Sequence, residues 1–195
     1  MIEHHGWQVA ASFGSPPDEA ARTRESVGLA DVSWLSKFHL QGPGLSSAPD
    51  FQPEASTWQL GRRQYLMICE PSAAAGVWKR LEPFSGSDAT PAATIYATDV
   101  TSAYTQLLVA GPQCREVLGK LTSLNLSESA NFTCGQASVA HVPAVVLRND
   151  FPDTPAFHLL VGREYGESVW EAVLHAGHEF HIALVGLDAI RLLLG

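Results

Sequence analysis

His175, His178 and His181 recur every third residue, with Glu179 among them. Residues three apart on one helix share a face, and imidazoles with a carboxylate in that spacing can hold zinc or nickel. Gly177 interrupts the set where a helix should end. It favours a second reading, in which these histidines are solvated groups near the negative end of the helix dipole. His4-His5 reads as a surface tail. Covalent chemistry lacks its parts. There is no Gly-x-Ser-x-Gly elbow, and Cys69, Cys114 and Cys134 form an odd set without a Cys-x-x-Cys pair. That pattern predicts buried free thiols rather than disulfides or nucleophiles. No Gly-x-Gly-x-x-Gly follows a strand, so a flavin or nicotinamide site of the Rossmann type is not expected. A flavin, if the chemistry needs one, belongs to another chain.

The elements that would position any site carry one pattern twice. Asp31-Val32-Ser33 leads into an alternating run that closes at Gly42-Pro43, and Asp99-Val100-Thr101 leads into one that closes at Gly111-Pro112. Asp with Ser or Thr makes a side-chain-to-backbone turn. The alternating run predicts a half-buried strand, and Gly-Pro stops it and can start a helix. The copies lie about 68 residues apart, beyond the roughly 20–50 of a solenoid period. Two lobes built to a similar plan follow.

In the first lobe, residues 1–16 read as a loose lead-in and 18–26 as a short polar helix. Strands follow at 37–41, 57–60 and 64–69, the last two around the hairpin signal Gly61-Arg62-Arg63. Ser72 is read as the cap of a helix reaching Leu81. Residues 85–92 are the expected linker. In the second lobe, strands are expected at 104–110, 136–141, 144–148, 157–161 and 181–185, with helices at 112–121, 164–176 and 187–194. That order is ferredoxin-like. The predicted fold class is therefore α+β, two lobes of antiparallel sheet with helices, divided as residues 1–88 and 89–195.

At 195 residues the chain can bury a sizeable core. A net charge of −8 with no Lys/Arg-rich run argues against nucleic-acid binding. No apolar stretch reaches the roughly 18 residues that would span a bilayer, and the N-terminus lacks a signal peptide, so the cytoplasm is the expected location. Charged residues make up only 16% of the chain, which leaves apolar surface to cover and fits a protein that lives against a partner.

Val27-Gly28-Leu29-Ala30-Asp31-Val32-Ser33 resembles the start of the folate-binding module shared by the glycine-cleavage T-protein (aminomethyltransferase) and its relatives. Leu108 to Leu118, with Gly111-Pro112, resembles the strand-Gly-Pro-helix of that module's second lobe. Asp99-Val100-Thr101, Ser123 to Leu126, Pro155 to Val161, Ser168-Val169-Trp170 and Glu179-Phe180 recur in this order in a smaller relative, the gamma subunit of heterotetrameric sarcosine oxidase. The resemblance covers roughly residues 25–192.

In the T-protein the folate-binding segment reads Arg-Thr-Gly-Tyr-Thr-Gly-Glu-Asp-Gly-Phe-Glu. The matching segment here runs from Arg148 to His158. The Arg is kept, the Tyr is Phe151, and the closing Glu, which holds the pterin's donors, is His158. A carboxylate accepts two hydrogen bonds in a planar fork, whereas a neutral imidazole offers one acceptor. Arg148, Phe151 and His158 are thus a degenerate folate site by resemblance. The T-protein's Asp-Asp segment, which acts near the folate N10, has no counterpart. Only Asp50 and Glu54 lie in the loop after Gly42-Pro43, and the next strand follows within about 14 residues. The T-protein's C-terminal third is also missing from the sequence.

The resemblance therefore implies a subunit without catalytic residues of its own and without a metal. It would support demethylation of sarcosine or another N-methyl amino acid by partner alpha and beta subunits that carry FAD or FMN and folate. No cofactor is expected to bind this chain tightly, although tetrahydrofolate fits the family. The alternative is a free-standing folate-binding or aminomethyltransferase-like protein of one-carbon metabolism. Trp34, Trp58 and Trp78 are either partner anchors or core.

Overall fold

The structure, a computed structural model, describes residues 1–45, 47, 53–82, 94–126 and 129–195. The first part of the chain forms β1 (Ile2–His4), β2 (Trp7–Val9), α1 (Pro16–Glu25), β3 (Gly28–Asp31), β4 (Ser36–Gln41), β5 (Ala55–Gly61), β6 (Gln64–Cys69), α2 (Pro71–Leu81) and β7 (Tyr96–Asp99). Then come β8 (Tyr104–Ala110), α3 (Cys114–Gly119), β9 (Cys134–Val139), β10 (Val142–Arg148), β11 (Ala156–Gly162), α4 (Gly166–Gly177), β12 (Ala183–Leu184) and α5 (Leu187–Leu194). The class is α+β, with antiparallel sheets and helices.

Both copies of the repeated motif fold alike. Asp31 Oδ1 accepts the Ser33 N–H (2.8 Å) and Asp99 Oδ1 accepts the Thr101 N–H (2.9 Å). The following strands, β4 and β8, each run into a glycine with positive φ, Gly42 (146°) and Gly111 (122°). Neither has room for a side chain. An added Cβ would lie 2.4 Å from the Thr94 carbonyl oxygen or 2.3 Å from that of Ser26.

The copies exchange strands. β3, from the first, pairs with β8 of the second, and β7, from the second, pairs with β4 of the first. The hydroxyls follow the exchange: Ser33 Oγ accepts the Gln106 N–H (3.0 Å) and Thr101 Oγ1 accepts the Lys37 N–H (3.0 Å).

This exchange changes the expected division at residue 88. The chain separates into one unit of Met1–Ser33 with Tyr104–Gly195 and another of Trp34–Ala103. Residues 1–33 side with the C-terminal half because β3 is hydrogen-bonded into its sheet. The expected linker, 85–92, lies outside the described residues.

In the larger unit the strand order is β12-β3-β8-β11-β10-β9. The ferredoxin-like succession β8-α3-β10-β11-α4-β12 is intact, with β3 inserted between β12 and β8 and β9 added at the edge. One sheet face (Leu107, Val109, Phe157, Leu159, Val161) packs on Val117 and Leu118 of α3 and Val169 and Val173 of α4. The other face carries Leu108, Leu147 and Leu160, all buried, together with the buried polar residues Gln106 and His158.

The smaller unit is an antiparallel sheet β5-β6-β4-β7. Val77 and Leu81 of α2 cover Phe38, Leu40 and Met67 there. Trp34 and Trp58 are buried, whereas Trp78 is 37% exposed and lies 5.4 Å from the Phe38 ring.

Four local expectations change. Residues 1–16 are not a loose lead-in: β1 and β2 form a hairpin, and the Ala10 and Ala11 carbonyls accept the Leu187 and Asp188 N–H groups. These bonds satisfy the first turn of α5. Glu70, not Ser72, is the N-cap of α2, and Pro71 supplies the first helical residue. α3 starts at Cys114, because Gly111 to Gln113 make the turn. The last strand shrinks to Ala183–Leu184 because His181 is left-handed (φ 53°).

Candidate functional site

The segment that matches the family's folate-binding stretch joins β10 to β11. Arg148 stands opposite Phe157 in the ladder, and Leu147 stands opposite His158. Side chains alternate along a strand. Arg148 and Phe157 therefore share the face packed by α3 and α4, whereas His158 lies on the other face. Phe151 sits half-buried in the turn between them, its N–H donating to the Thr154 carbonyl (2.9 Å). The fold does not gather the three residues into one cluster.

Arg148 is fully engaged. Its Nε donates to both Asp150 oxygens (3.0 and 3.2 Å), its Nη2 to Oδ2 (2.6 Å), and its Nη1 to the Ser129 carbonyl. The guanidinium also lies 6.0 Å from the Phe157 ring centroid. Asp150 in turn accepts the Ala156 N–H (3.1 Å) and donates its own N–H to Asn131 Oδ1 (2.9 Å). The hydrogen bonds that Arg148 donates to Asp150 raise the Arg148 pKa, against a smaller opposing effect of burial. Burial by itself would raise the Asp150 carboxyl. The Arg148 and Ala156 hydrogen bonds and the charges of Arg148 and Arg115 together hold it below its ordinary range. The pair is a latch that ties residues 129–131 to the 149–156 turn.

A cavity of about 350 Å³ opens beside this latch, lined by Leu124, Leu126, Gly135, Val146, Arg148 and Phe157. It is largely apolar and lies on the helix-covered face, so His158 takes no part in it. On the opposite face His158 Nδ1 meets Gln106 Nε2 at 3.0 Å. Gln106 is fully buried, and its Oε1 has no partner among the described residues.

Sequence reasoning missed Asp150 and Gln106. The first had a signal, an opposite charge two residues from Arg148 in a turn. The second was the single amide in the apolar run Leu107-Leu108-Val109-Ala110 and its approach. Of the two acids after Gly42-Pro43, Asp50 lies outside the described residues. Glu54 makes an exposed ion pair with Arg80 (3.5 Å).

The histidine series does not converge. His175 lies in the last turn of α4, His178 opens a 3-10 turn, and His181 is left-handed. No group of three potential metal ligands sits together among the described residues. Lys120 covers the helix end instead, donating to the Ala176 carbonyl (2.7 Å) and pairing with Glu179, 4.7 Å from the Phe180 ring centroid. Burial pushes the Cys69 thiol up to about 11 and that of Cys114 to about 12, and it also raises Cys134. None of the three is poised as a thiolate. No helix among the described residues is long and apolar enough to cross a membrane.

The GCVT N-terminal domain family matches residues 51–194, most of the chain. This chain belongs to that family. Its GCVT domain is similar to the aminomethyltransferase of Acidobacterium capsulatum, 27% identical over 97% of this chain and 56% of the relative. It is also similar to that of Streptomyces avermitilis, 25% identical over 98% and 58%. The chain thus spans less than three-fifths of the length of these curated relatives. Among solved structures, the glycine cleavage system aminomethyltransferase T of Bartonella henselae superposes with a TM-score of 0.77 at 16% identity, over 99% of this chain and 57% of that one. A chain of the heterotetrameric sarcosine oxidase of Corynebacterium sp. U-96 superposes with a TM-score of 0.64 at 16% identity, over 85% of this chain and 92% of that one. The fold is that of the T-protein folate-binding module.

Proposed function

We propose that the protein is a non-catalytic subunit resembling the gamma subunit of heterotetrameric sarcosine oxidase. In this reading it supports demethylation of sarcosine or a related N-methyl amino acid in the cytoplasm. FAD or FMN and folate are carried by partner alpha and beta subunits. The observation that carries the reading is the dispersal of the folate contacts. Arg148 is consumed by Asp150 and Ser129, and His158 faces the other way with one ring nitrogen on Gln106. A pterin's N–H groups need a carboxylate acceptor in a fixed plane, and donors buried without partners cost about 1–3 kcal/mol each. The residues present do not fit that group, so no folate step is derived for this chain. The match along nearly the whole of a sarcosine oxidase chain supports the same reading.

The test is reconstitution with the alpha- and beta-type sarcosine oxidase subunits of the native host. The purified chain is expected to be colourless and inactive toward sarcosine, and to co-purify with both partners. Bound flavin, or turnover without partners, refutes the reading.

A second reading, a free-standing folate-binding or aminomethyltransferase-like protein, is favoured by the naming of the matched sequence relatives. Calorimetry with tetrahydrofolate separates the two. Binding at micromolar Kd or tighter, about −8 kcal/mol or better, supports the second.

A further inference from the structure

The cavity of about 350 Å³ beside the Arg148 latch has a floor built from alternate positions of the sheet. Val146 stands opposite Gly135 in the β9–β10 ladder, and Arg148 stands opposite Phe157 in the β10–β11 ladder. With a side-chain period of two, Val146 and Arg148 face the same way. A second wall is the connection between α3 and β9, which contributes Leu124 and Leu126. Both ends of that connection are pinned. At one end Thr122 bridges to Val139, and the Ala140 N–H donates to the Leu121 carbonyl (2.9 Å). At the other, the Phe132 N–H donates to the Arg148 carbonyl (3.0 Å) and the Arg148 N–H to the Thr133 carbonyl (2.9 Å). Leu124 is seated on the bare backbone of Gly135, where an added Cβ would lie 3.3 Å from its methyl carbons.

The depth of the cavity is apolar, because Leu126, Val146 and Phe157 are all buried. Its polar groups are already committed. Ser129 Oγ donates to the Leu126 carbonyl (2.8 Å), and Thr133 Oγ1 donates to the Ala130 carbonyl (2.6 Å). Each side-chain nitrogen of Arg148 donates to Asp150 or to the Ser129 carbonyl, and the Asp150 carboxylate offsets its charge. Asn125 and Cys134 are engaged as well. A polar guest would lose its water without gaining a partner, whereas an apolar guest forfeits nothing. A packing defect would be the plain account. Folded interiors seldom leave voids much larger than a water molecule, and a connection free to settle would close this one. Here both ends of the connection are hydrogen-bonded in place, so the space persists.

We propose that this cavity binds an uncharged, apolar small molecule about the size of two fused six-membered rings. An apolar cavity of about 150 Å³ already accepts benzene, and this one is larger. The Phe157 ring and the Leu124, Leu126 and Val146 side chains supply dispersion contact and take the guest's surface out of water. The latch keeps the wall in place and makes no polar bond to the guest. This assignment does not depend on the subunit reading.

The test is calorimetry with naphthalene as the probe, beside quinoxaline, which has the same outline with two ring nitrogens. Naphthalene is expected to saturate with Kd at or below about 0.1 mM. Quinoxaline is expected to bind at least about tenfold more weakly, because the committed side chains leave its nitrogens to be desolvated without compensation. Leu124→Phe adds volume to a half-buried wall residue and is expected to weaken naphthalene by at least about tenfold. A second readout needs no substitution. Cys134 lines the cavity, so naphthalene at twice its Kd should slow alkylation of Cys134 by iodoacetamide about threefold, in proportion to occupancy. Absence of saturation by about 0.2 mM, equal affinity for quinoxaline, wild-type affinity in folded Leu124→Phe, or an unprotected Cys134 overturns the proposal.

Discussion

Replacing Arg148 by Met tests whether that residue is a latch or a ligand contact. The Arg148 and Asp150 side chains are only 15% and 19% exposed, so the pair is largely desolvated. After Arg148→Met, Asp150 keeps the Ala156 N–H but loses the guanidinium, and the Ser129 carbonyl loses its donor. Breaking a fully buried pair costs about 3–5 kcal/mol. Residual solvent contact lowers the expectation here to about 2–3 kcal/mol. At roughly 2–4 °C per kcal/mol for a chain of this size, Tm should fall by about 5–10 °C. Asp150→Asn should cost a similar amount, and the double variant less than the sum, with a coupling of about 1–3 kcal/mol. The sign with pH follows from the Asp150 carboxyl, which is held below its ordinary range in the folded state. Its stabilisation is complete above the unfolded value of about 3.9 and disappears as pH falls through the folded value. Urea unfolding at neutral pH and at about pH 3 should therefore show the gap between wild type and Arg148→Met narrowing in acid. Single-variant losses below about 0.5 kcal/mol, no coupling, or a gap that ignores pH would refute the latch.

Other outcomes follow from the same geometry. Gly111→Ala meets both a positive φ and the Ser26 carbonyl 2.3 Å from the new Cβ, and should cost about 3 kcal/mol or more by thermal melt. Ser33→Ala removes the acceptor of the buried Gln106 N–H. Stability should drop by about 1–3 kcal/mol, and hydrogen exchange of the Gln106 amide should accelerate. Thiol labelling of the native protein near pH 8, read by mass spectrometry, should reach the half-buried Cys134 first and spare Cys69 and Cys114, whose thiols stay protonated. His158→Glu should improve tetrahydrofolate affinity by less than about tenfold, because Arg148 remains tied to Asp150 on the other sheet face.

Much of this molecule is a local matter. Asp31-Val32-Ser33 and Asp99-Val100-Thr101 make the turn their side chains dictate, wherever the chain places them. Tyr104–Ala110 is a strand because its β-branched and apolar residues bury well there, and Gly42 and Gly111 stop the strands because only glycine takes that φ without strain. The family was also readable, because the motifs and their order are a one-dimensional property.

Tertiary structure alone chose the partners. Nothing local tells β3 to pair with β8, or β7 with β4, so a boundary read along the chain fell at residue 88 while the contacts cross it twice. The destination of the Ser33 and Thr101 hydroxyls depended on that same exchange. The folate-like segment shows the limit most sharply. Arg148, Phe151 and His158 lie within eleven residues, and the resemblance to the T-protein's folate-binding segment implied one site. Yet the turn after Arg148 sets the β10–β11 register, and with a side-chain period of two that register sends Arg148 to one face and His158 to the other. Which groups meet is decided by strand register and by non-local pairing, and both are determined only when the whole sheet has formed.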